Sequence, residues 1–319
     1  MKKIIGNTPM IKIVYLDNGA KKEIYVKLEY YNLTGSIKDR MVDYVIREAK
    51  NRGDLKDNMA IIEATSGNTG ISLAALGAYY HHPVTIYMPD WCSRERYLLM
   101  KSFGANVILV SKEEGGFQKC IELADTYARE TGGYRPNQFS NKDNVIAHYQ
   151  TTGIEIINTL SRIDGFTSGI GTGGTLIGIG KRLKEINKNT KIVALEPSKM
   201  ALLSGNTIFH NHKIEGIGDD FIPDLVDKEL IDDVYLIDDD DAVNMSRLLA
   251  KNLGLGVGIS SGANFLSSVL LNRRLNGTIV TVFSDDNKKY LSTSLSDNIS
   301  DNKNFLSNQI TLLDYEIIL

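Results

Sequence analysis

Short apolar runs recur along the chain, and longer stretches with helical spacing separate them. Many of their residues are β-branched, as is typical of buried strands. The runs lie at residues 24–26, 60–62, 84–86, 106–110, 191–195 and 278–282. Because strands alternate with helices, the pattern predicts an α/β fold with mainly parallel sheets flanked by helices.

The alternation extends over two stretches, each long enough for a sheet of its own. We predict a smaller N-terminal α/β domain at 36–145, and a larger α/β domain that combines 1–35 with 146–297. Such a pair would leave a cleft between the domains. Beyond residue 297 the sequence turns rich in Asn, Ser and Asp and then apolar, so 298–319 is predicted to be a C-terminal tail that could close a sheet as an edge strand.

Composition and charge disfavour several functional classes. Of the 319 residues 42% are hydrophobic, and the net charge is −3 without a basic stripe, so no nucleic-acid partner is expected. The apolar runs are far shorter than the ~20 residues that span a bilayer, and the N-terminus lacks a signal-peptide pattern. We therefore expect a cytoplasmic protein without a membrane partner. Cys92 and Cys120, the two cysteines, have no metal-type spacing, and no metal is expected.

A glycine-rich segment, 169–175, lies between the strand-like residues 165–168 and the helical residues 176–185. Unpaired backbone amides and the helix dipole at such a junction favour a phosphate. The same glycines also fit the dinucleotide pattern G-x-G-x-x-G, and Glu196 follows at the required distance of about 20 residues. The segment alone leaves three interpretations open: a phosphate cradle, a dinucleotide site, or a turn without a ligand.

Lys38 lies where a Thr-Gly-Ser turn meets a predicted helix at 40–51. The helix dipole disfavours a cation at this end, which indicates a function, although a surface lysine is the simpler interpretation. A lysine that forms a Schiff base needs a lowered pKa and a nearby anion. A phosphate bound at 169–175 could supply that anion.

A third polar segment, 64–70, follows the predicted strand at 60–62 and precedes an apolar helix at 71–79. Hydroxyl groups and free amides at a helix start suit a carboxylate, such as that of an amino-acid substrate. Taken alone, the same residues could simply cap the helix.

Together these segments resemble the fold-type II pyridoxal 5′-phosphate (PLP) enzymes, specifically the cysteine synthase and cystathionine β-synthase family. Further similar segments occur in the family's order, at 5–9, 27–29, 87–89, 103–106, 196–197, 215–218, 258–262 and 290–293. The joint pattern strongly disfavours an NAD-dependent oxidoreductase, because that class has no use for Lys38 or for the loop at 65–69.

The resemblance implies roles for the cofactor-binding residues. Lys38 would hold PLP as a Schiff base and remove the substrate's α-proton. Asn68 would bind the cofactor's 3′-oxygen, and Ser260 would meet the pyridine nitrogen. The phosphate would be held by Gly171, Thr172, Gly173, Gly174 and Thr175. A neutral hydroxyl does not keep the ring nitrogen protonated as an aspartate would, which favours β-replacement through an α-aminoacrylate intermediate.

The resemblance also implies the substrate site. The substrate's carboxylate would be bound by Thr65, Ser66, Thr69 and Gln138. Gly216 would belong to the loop that closes over the substrate. It also implies a homodimer and a small amino-acid substrate: cysteine, serine or O-acetylserine.

Asp219 and Asp220 depart from the family, whose cysteine synthases have small residues at these two positions. Its cystathionine β-synthases have an aromatic residue and then aspartate. If the Asp219 carboxylate lay ~4 Å from an incoming hydrosulfide anion, it would repel that anion by roughly 1 kcal/mol in water and ~4 kcal/mol at an effective dielectric of 20. It could instead act as the general base for a neutral nucleophile. Alternatively, Asp219 simply points to solvent or caps a turn.

The favoured reaction is therefore L-cysteine plus water to L-serine plus hydrogen sulfide, with Lys38 and Asp219 as catalytic residues. Two family reactions remain as alternatives: cysteine synthesis from O-acetylserine and sulfide, and condensation with a thiol, to which the similarity of 147–152 to cystathionine β-synthases points. Two alternatives belong to other classes: an NAD-dependent oxidoreductase, and a catalytically silent binding protein, against which the intact Lys38, Asn68 and Ser260 argue.

Overall fold

The computed structural model describes residues 4–205, 211–297 and 302–318. Within them the strands are β1 Met10–Asp17, β2 Ala20–Leu28, β3 Ile61–Ala64, β4 Val84–Pro89, β5 Asn106–Val110, β6 Gly165–Gly169, β7 Lys191–Pro197, β8 Asp233–Ile237, β9 Ile279–Phe283 and β10 Ile310–Ile318. The helices are α1 Lys38–Arg52, α2 Asn68–Tyr80, α3 Arg94–Ser102, α4 Gly116–Thr131, α5 Lys142–Gln150, α6 Thr152–Thr159, α7 Gly174–Ile186, α8 Asp239–Leu253 and α9 Ile259–Leu275.

The smaller sheet is parallel, with the strand order β3-β4-β5. Its first two strands are buried at every position, because helices cover both faces. Apolar residues of α1, α2 and α3 pack on one face. Helix α4 covers the other with small side chains, among them Cys120, which like Cys92 is a free thiol.

The larger sheet has the order β10-β1-β2-β9-β6-β7-β8. The five strands from β2 to β8 are parallel, and β1 runs antiparallel to both of its neighbours. Helices α8 and α9 pack against one face, and α6 and α7 cover the other. Each of the apolar runs overlaps a strand of one of the two sheets, and the predicted α/β class is confirmed.

The segment set apart above as a tail contributes to the larger sheet. Residues of β10 pair antiparallel with β1, from Asp17 opposite Ile310 to Met10 opposite Ile318. The strands of the smaller sheet lie within 36–145, and those described in the larger sheet lie outside it. The division into domains itself stays a prediction. No helix in the described ranges is long and apolar enough to cross a bilayer.

A buried network of charges anchors α1, the helix that begins at Lys38. Arg40 is 2% exposed and Glu29 is fully buried. The Arg40 Nε donates to Glu29 Oε2 at 2.6 Å, and its two terminal nitrogens donate to the Glu155 carboxylate at 2.6 and 2.8 Å. Lys27 Nζ lies 2.6 Å from Glu155 Oε2. Burial favours the neutral acid, yet Arg40 and Lys27 lower the pKa of Glu155 to about 2.

Replacing Arg40 by methionine is expected to destabilise the fold by roughly 3–5 kcal/mol, because the fully buried Glu29 carboxylate and the partly buried Glu155 carboxylate would then face a single lysine. Urea unfolding followed by circular dichroism measures this change. Arg47→Met is the matched control on the same helix. Arg47 pairs with Asp43 while its side chain stays 36% exposed, so a loss below about 1 kcal/mol is expected. Equal losses in the two variants would contradict this account of the network.

Candidate active site

A cavity lies where the carboxyl ends of β3, β6 and β9 meet the first residues of α1, α2 and α9. Thirteen of the predicted site residues line it: Lys38, Thr65, Ser66, Asn68, Thr69, Gln138, Gly171, Thr172, Gly173, Thr175, Gly216, Asp219 and Ser260. Gly174 is the exception. It begins α7, and a Cβ there would lie 2.0 Å from Asn144 Oδ1, so close packing requires glycine. The glycine segment, the Lys38 turn and the 64–70 segment thus form one site.

Lys38 is the first residue of α1, and the preceding turn is held by Asp39. The Asp39 carboxylate accepts hydrogen bonds from the amide and hydroxyl of Thr34 at 2.7 and 2.6 Å, and from Ser72 Oγ at 2.6 Å. Burial lowers the pKa of Lys38, while the carboxylates of Asp285 and Asp219 oppose this shift. A lysine with a lowered pKa supplies the neutral amine that Schiff-base chemistry needs.

The glycine segment between β6 and α7 forms a close-packed loop at a helix N-terminus. A Cβ on Gly171 would lie 2.4 Å from the carbonyl oxygen of Gly216, and Gly173 has a φ of +85°. Both positions therefore need glycine. Asn144 Nδ2 donates to Thr172 Oγ1 at 2.9 Å, which fixes that hydroxyl. The arrangement can hold a phosphate with backbone amides and hydroxyl groups.

The loop at 65–69 carries hydroxyl groups from β3 into α2. The Thr69 hydroxyl donates to Gln138 Oε1 at 2.7 Å, and Gln138 Nε2 donates to the Ala64 carbonyl at 2.9 Å. Gln138, 4% exposed, thereby joins the loop to the segment before α5. A substrate carboxylate bound here would accept the hydrogen bond that the Thr69 hydroxyl donates to Gln138 in this structure.

Asp285, which the sequence did not reveal as a site residue, holds the side chain of Asn68 by a hydrogen bond. It is fully buried, and its Oδ2 accepts hydrogen bonds from Asn68 Nδ2 at 2.8 Å and from the Tyr290 hydroxyl at 2.7 Å. Among the residues that the structure describes, no hydrogen-bond partner reaches the buried Asn68 Oδ1. The sequence feature that could have identified Asp285 as a site residue is its position just after the buried strand β9.

Asp219 faces the same cavity as Lys38. Burial and the neighbouring charge of Asp220 raise the pKa of Asp219 to about 6, and Lys38 acts in the opposite direction. A carboxyl group with this pKa is mostly ionised at neutral pH and can accept a proton there, which suits a general base.

Arg96, which the sequence also did not reveal, lines the cavity and links α3 to the loop that carries Gly216. Its side chain is 2% exposed, and it forms an ion pair with Glu215 on the loop that carries Gly216. Its guanidinium lies 4.5 Å from the centre of the Tyr290 ring. No local pattern marks Arg96, because its partners are distant in sequence.

Aromatic side chains pack beside Asp219. Phe139 lies edge to face with Phe117 at 5.8 Å between ring centres, and with Phe221 at 4.9 Å. Phe117 and Phe139 also line the cavity. These rings connect α4, the segment after Gln138 and the loop after Asp220, and Phe117 and Phe139 give one part of the cavity an apolar wall.

The site fits PLP by its own geometry. It offers a primary amine with a lowered pKa, a glycine cradle at the start of α7 and a buried amide oxygen on Asn68 that has no hydrogen-bond partner within the described ranges. Ser260, 5% exposed, lies at the start of α9 and can meet a ring nitrogen. The described residues contain no cluster of side chains suited to a metal ion.

Comparison with known proteins agrees with this chemistry. A cysteine synthase from Staphylococcus aureus is 40% identical over 302 residues, which are 92% of this chain and 95% of the relative. The structure of a hydrogen sulfide-producing enzyme from Fusobacterium nucleatum has a TM-score of 0.95 and 50% identity, and covers 99% of this chain and 96% of that one. An aspartate-to-asparagine mutant of it was solved with an α-aminoacrylate intermediate.

A cysteine synthase from Entamoeba histolytica has a TM-score of 0.87 and 37% identity, with 96% of this chain and 94% of that chain covered. The family model described as pyridoxal-phosphate dependent enzyme matches residues 1–285. This chain therefore belongs to the family of PLP-dependent enzymes.

Proposed function

We propose that this enzyme converts L-cysteine and water into L-serine and hydrogen sulfide. The observation that carries the proposal is the Asp219 carboxylate, which faces the cavity of Lys38 with a pKa raised to about 6. A negative charge beside the β-carbon disfavours the hydrosulfide anion as a nucleophile. The same carboxylate can accept a proton from water. The similarity to the sulfide-producing enzyme of Fusobacterium nucleatum supports the same direction of sulfur flow.

Lys38 and Asp219 have separate roles in the proton transfers of this reaction. PLP, when bound, withdraws electrons from the α-carbon, so that the α-proton and the β-substituent can leave. Lys38 accepts the α-proton at Nζ and later returns it. Asp219 accepts a proton from water as the water oxygen bonds to the β-carbon.

Other residues bind and orient. Thr65, Ser66, Thr69 and Gln138 hold the substrate's carboxylate. The segment from Gly171 to Thr175 holds the phosphate with its amides and hydroxyl groups. Asn68 and Ser260 contact the cofactor ring, and Gly216 closes the substrate side of the cavity.

Cysteine synthesis from O-acetylserine and sulfide is the second candidate, because a cysteine synthase is 40% identical to this chain. Incubation of the PLP-loaded enzyme with L-cysteine alone separates the two reactions. Sulfide is measured colorimetrically, and serine by chromatography. The proposal predicts sulfide and serine in equal amounts. An enzyme that leaves cysteine unchanged but makes it from O-acetylserine and sulfide would contradict the proposal.

We also propose that the enzyme is a cytoplasmic homodimer, which its resemblance to the family supports. Size-exclusion chromatography with light scattering is expected to give twice the mass of one chain. A monomeric mass for the PLP-loaded enzyme would refute the dimer.

The pH dependence of serine formation is expected to report on Asp219. The base must be ionised, so the rate should fall about tenfold per pH unit below the pKa of about 6. Asp220→Asn removes a like charge that raises this pKa, and the acidic limb should therefore move to lower pH. Asp224→Asn is the charge-matched control on the same loop and should leave the limb in place. The profile is measured from initial rates of serine formation. If the acidic limb of Asp220→Asn lies at the same pH as that of wild-type enzyme, the assignment of Asp219 as the base is contradicted.

A further inference from the structure

Gly218, the residue that precedes Asp219, is held through both of its backbone polar groups. The amide of Gly218 donates to the Ile170 carbonyl at 2.9 Å. The Gly218 carbonyl accepts a hydrogen bond from His212 Nε2 at 2.8 Å. The first contact joins the loop to the residue that follows β6, and the second joins it to the segment before Lys213.

Gly218 fits tightly between Pro197 and His212. Its φ is +72°, and a Cβ would lie 2.8 Å from Pro197 Cγ and 3.1 Å from His212 Nε2. Only glycine fits this left-handed, crowded position. The imidazole is therefore in contact with the backbone that aims Asp219 into the cavity.

The His212 side chain makes no other hydrogen bond to the described residues. Because a carbonyl oxygen can only accept, the proton must lie on Nε2. Nδ1 is buried and has no partner within the described ranges. The one polar contact that this side chain makes there is thus the bond to Gly218.

We propose that His212 is a positioning residue that holds Asp219 toward the β-carbon, and so decides how L-cysteine is divided between two products. With Asp219 in place, water adds to the β-carbon and serine forms. When Asp219 is not held in place, free α-aminoacrylate leaves the enzyme. It then takes a proton at its β-carbon and is hydrolysed. L-cysteine and water then give pyruvate, ammonia and hydrogen sulfide. This inference rests on the proposed function.

The ratio of serine to pyruvate formed by the PLP-loaded enzyme tests the inference. His212→Leu is expected to lower this ratio about tenfold, as one lost hydrogen bond can do. Sulfide release, which precedes the division, should change less than about twofold, because water activation comes later. His212→Gln can donate from its amide nitrogen and should restore most of the ratio. Asn211→Leu, a change at the exposed neighbouring residue, should leave it unchanged. An unchanged ratio in His212→Leu would overturn the inference.

Asp219→Asn separates failure of the inference from failure of the proposed function. If Asp219→Asn lowers the ratio and His212→Leu does not, only the inference fails. If Asp219→Asn forms serine at the full rate, the proposed base is wrong. In the double variant, His212→Leu should add little to the effect of Asp219→Asn, since both changes remove the same function. A further tenfold drop would show that His212 acts independently of Asp219, and would overturn the inference.

Discussion

Replacing Lys38 by alanine is expected to reduce sulfide release from L-cysteine by roughly 10²–10⁴-fold, the range typical of a lost acid–base group. The amine lies in the cavity with its pKa lowered by burial, so it is the group available both to bond the cofactor and to take the α-proton. The variant should also lack the absorbance change that wild-type enzyme shows when PLP bonds to its lysine. Sulfide assays and absorbance spectra of dialysed protein give both readouts.

Lys50→Ala is the matched control for this loss. Lys50 lies on the same helix and pairs with Asp57, whose side chain is 89% exposed, so it should retain wild-type activity and spectrum. Lys38→Arg keeps the positive charge but cannot supply a neutral amine, and should fail like the alanine variant. If Lys38→Ala kept more than a tenth of the activity, another residue would have to hold the cofactor.

Replacing Asp219 by asparagine is expected to lower serine formation from L-cysteine by roughly 10²–10⁴-fold, because an amide of the same shape cannot take a proton from water. Sulfide release should fall much less, and pyruvate should replace serine as the organic product. Serine, pyruvate and sulfide are measured in the same reaction mixture.

The same variant should accept hydrosulfide more readily. Removing one negative charge at ~4 Å relieves a repulsion of roughly 1–4 kcal/mol, so cysteine synthesis from O-acetylserine should become faster. Asp220→Asn, which also removes one charge, should keep most serine formation at neutral pH. Full serine formation by Asp219→Asn would contradict its assignment as base.

The sequence predicted the parts of the fold and site that depend on neighbouring residues. The glycine segment, the Lys38 turn and the 65–69 loop each join a strand or turn to a helix, and such junctions have recognisable local patterns. Their meeting in one cavity follows from the parallel sheets, whose carboxyl edges collect these junctions.

The residues that the sequence did not reveal act over long distances. Asp285 and Asn68 are 217 positions apart, and Arg96 and Glu215 are 119 apart. Nothing in the local sequence of either partner indicates such a pairing. His212 lies near Gly218 in sequence, but its bond depends on the left-handed turn at Gly218.

For the edge strand β10, the sequence indicated that 298–319 could close a sheet, but it did not reveal which strand it pairs with. Its residues follow a polar segment, and half-exposed side chains such as Leu313 and Tyr315 give it no clean alternation. Its place in the sheet is set by pairing with β1, nearly the whole chain away.

The source of the hydroxyl oxygen in the product tests the central claim most directly. The PLP-loaded enzyme is incubated with L-cysteine in ¹⁸O-labelled water, and serine is analysed by mass spectrometry. We predict one ¹⁸O atom in the β-hydroxyl group of each serine, with one sulfide released per serine. Sulfide released without labelled serine would contradict the claim that water is the nucleophile.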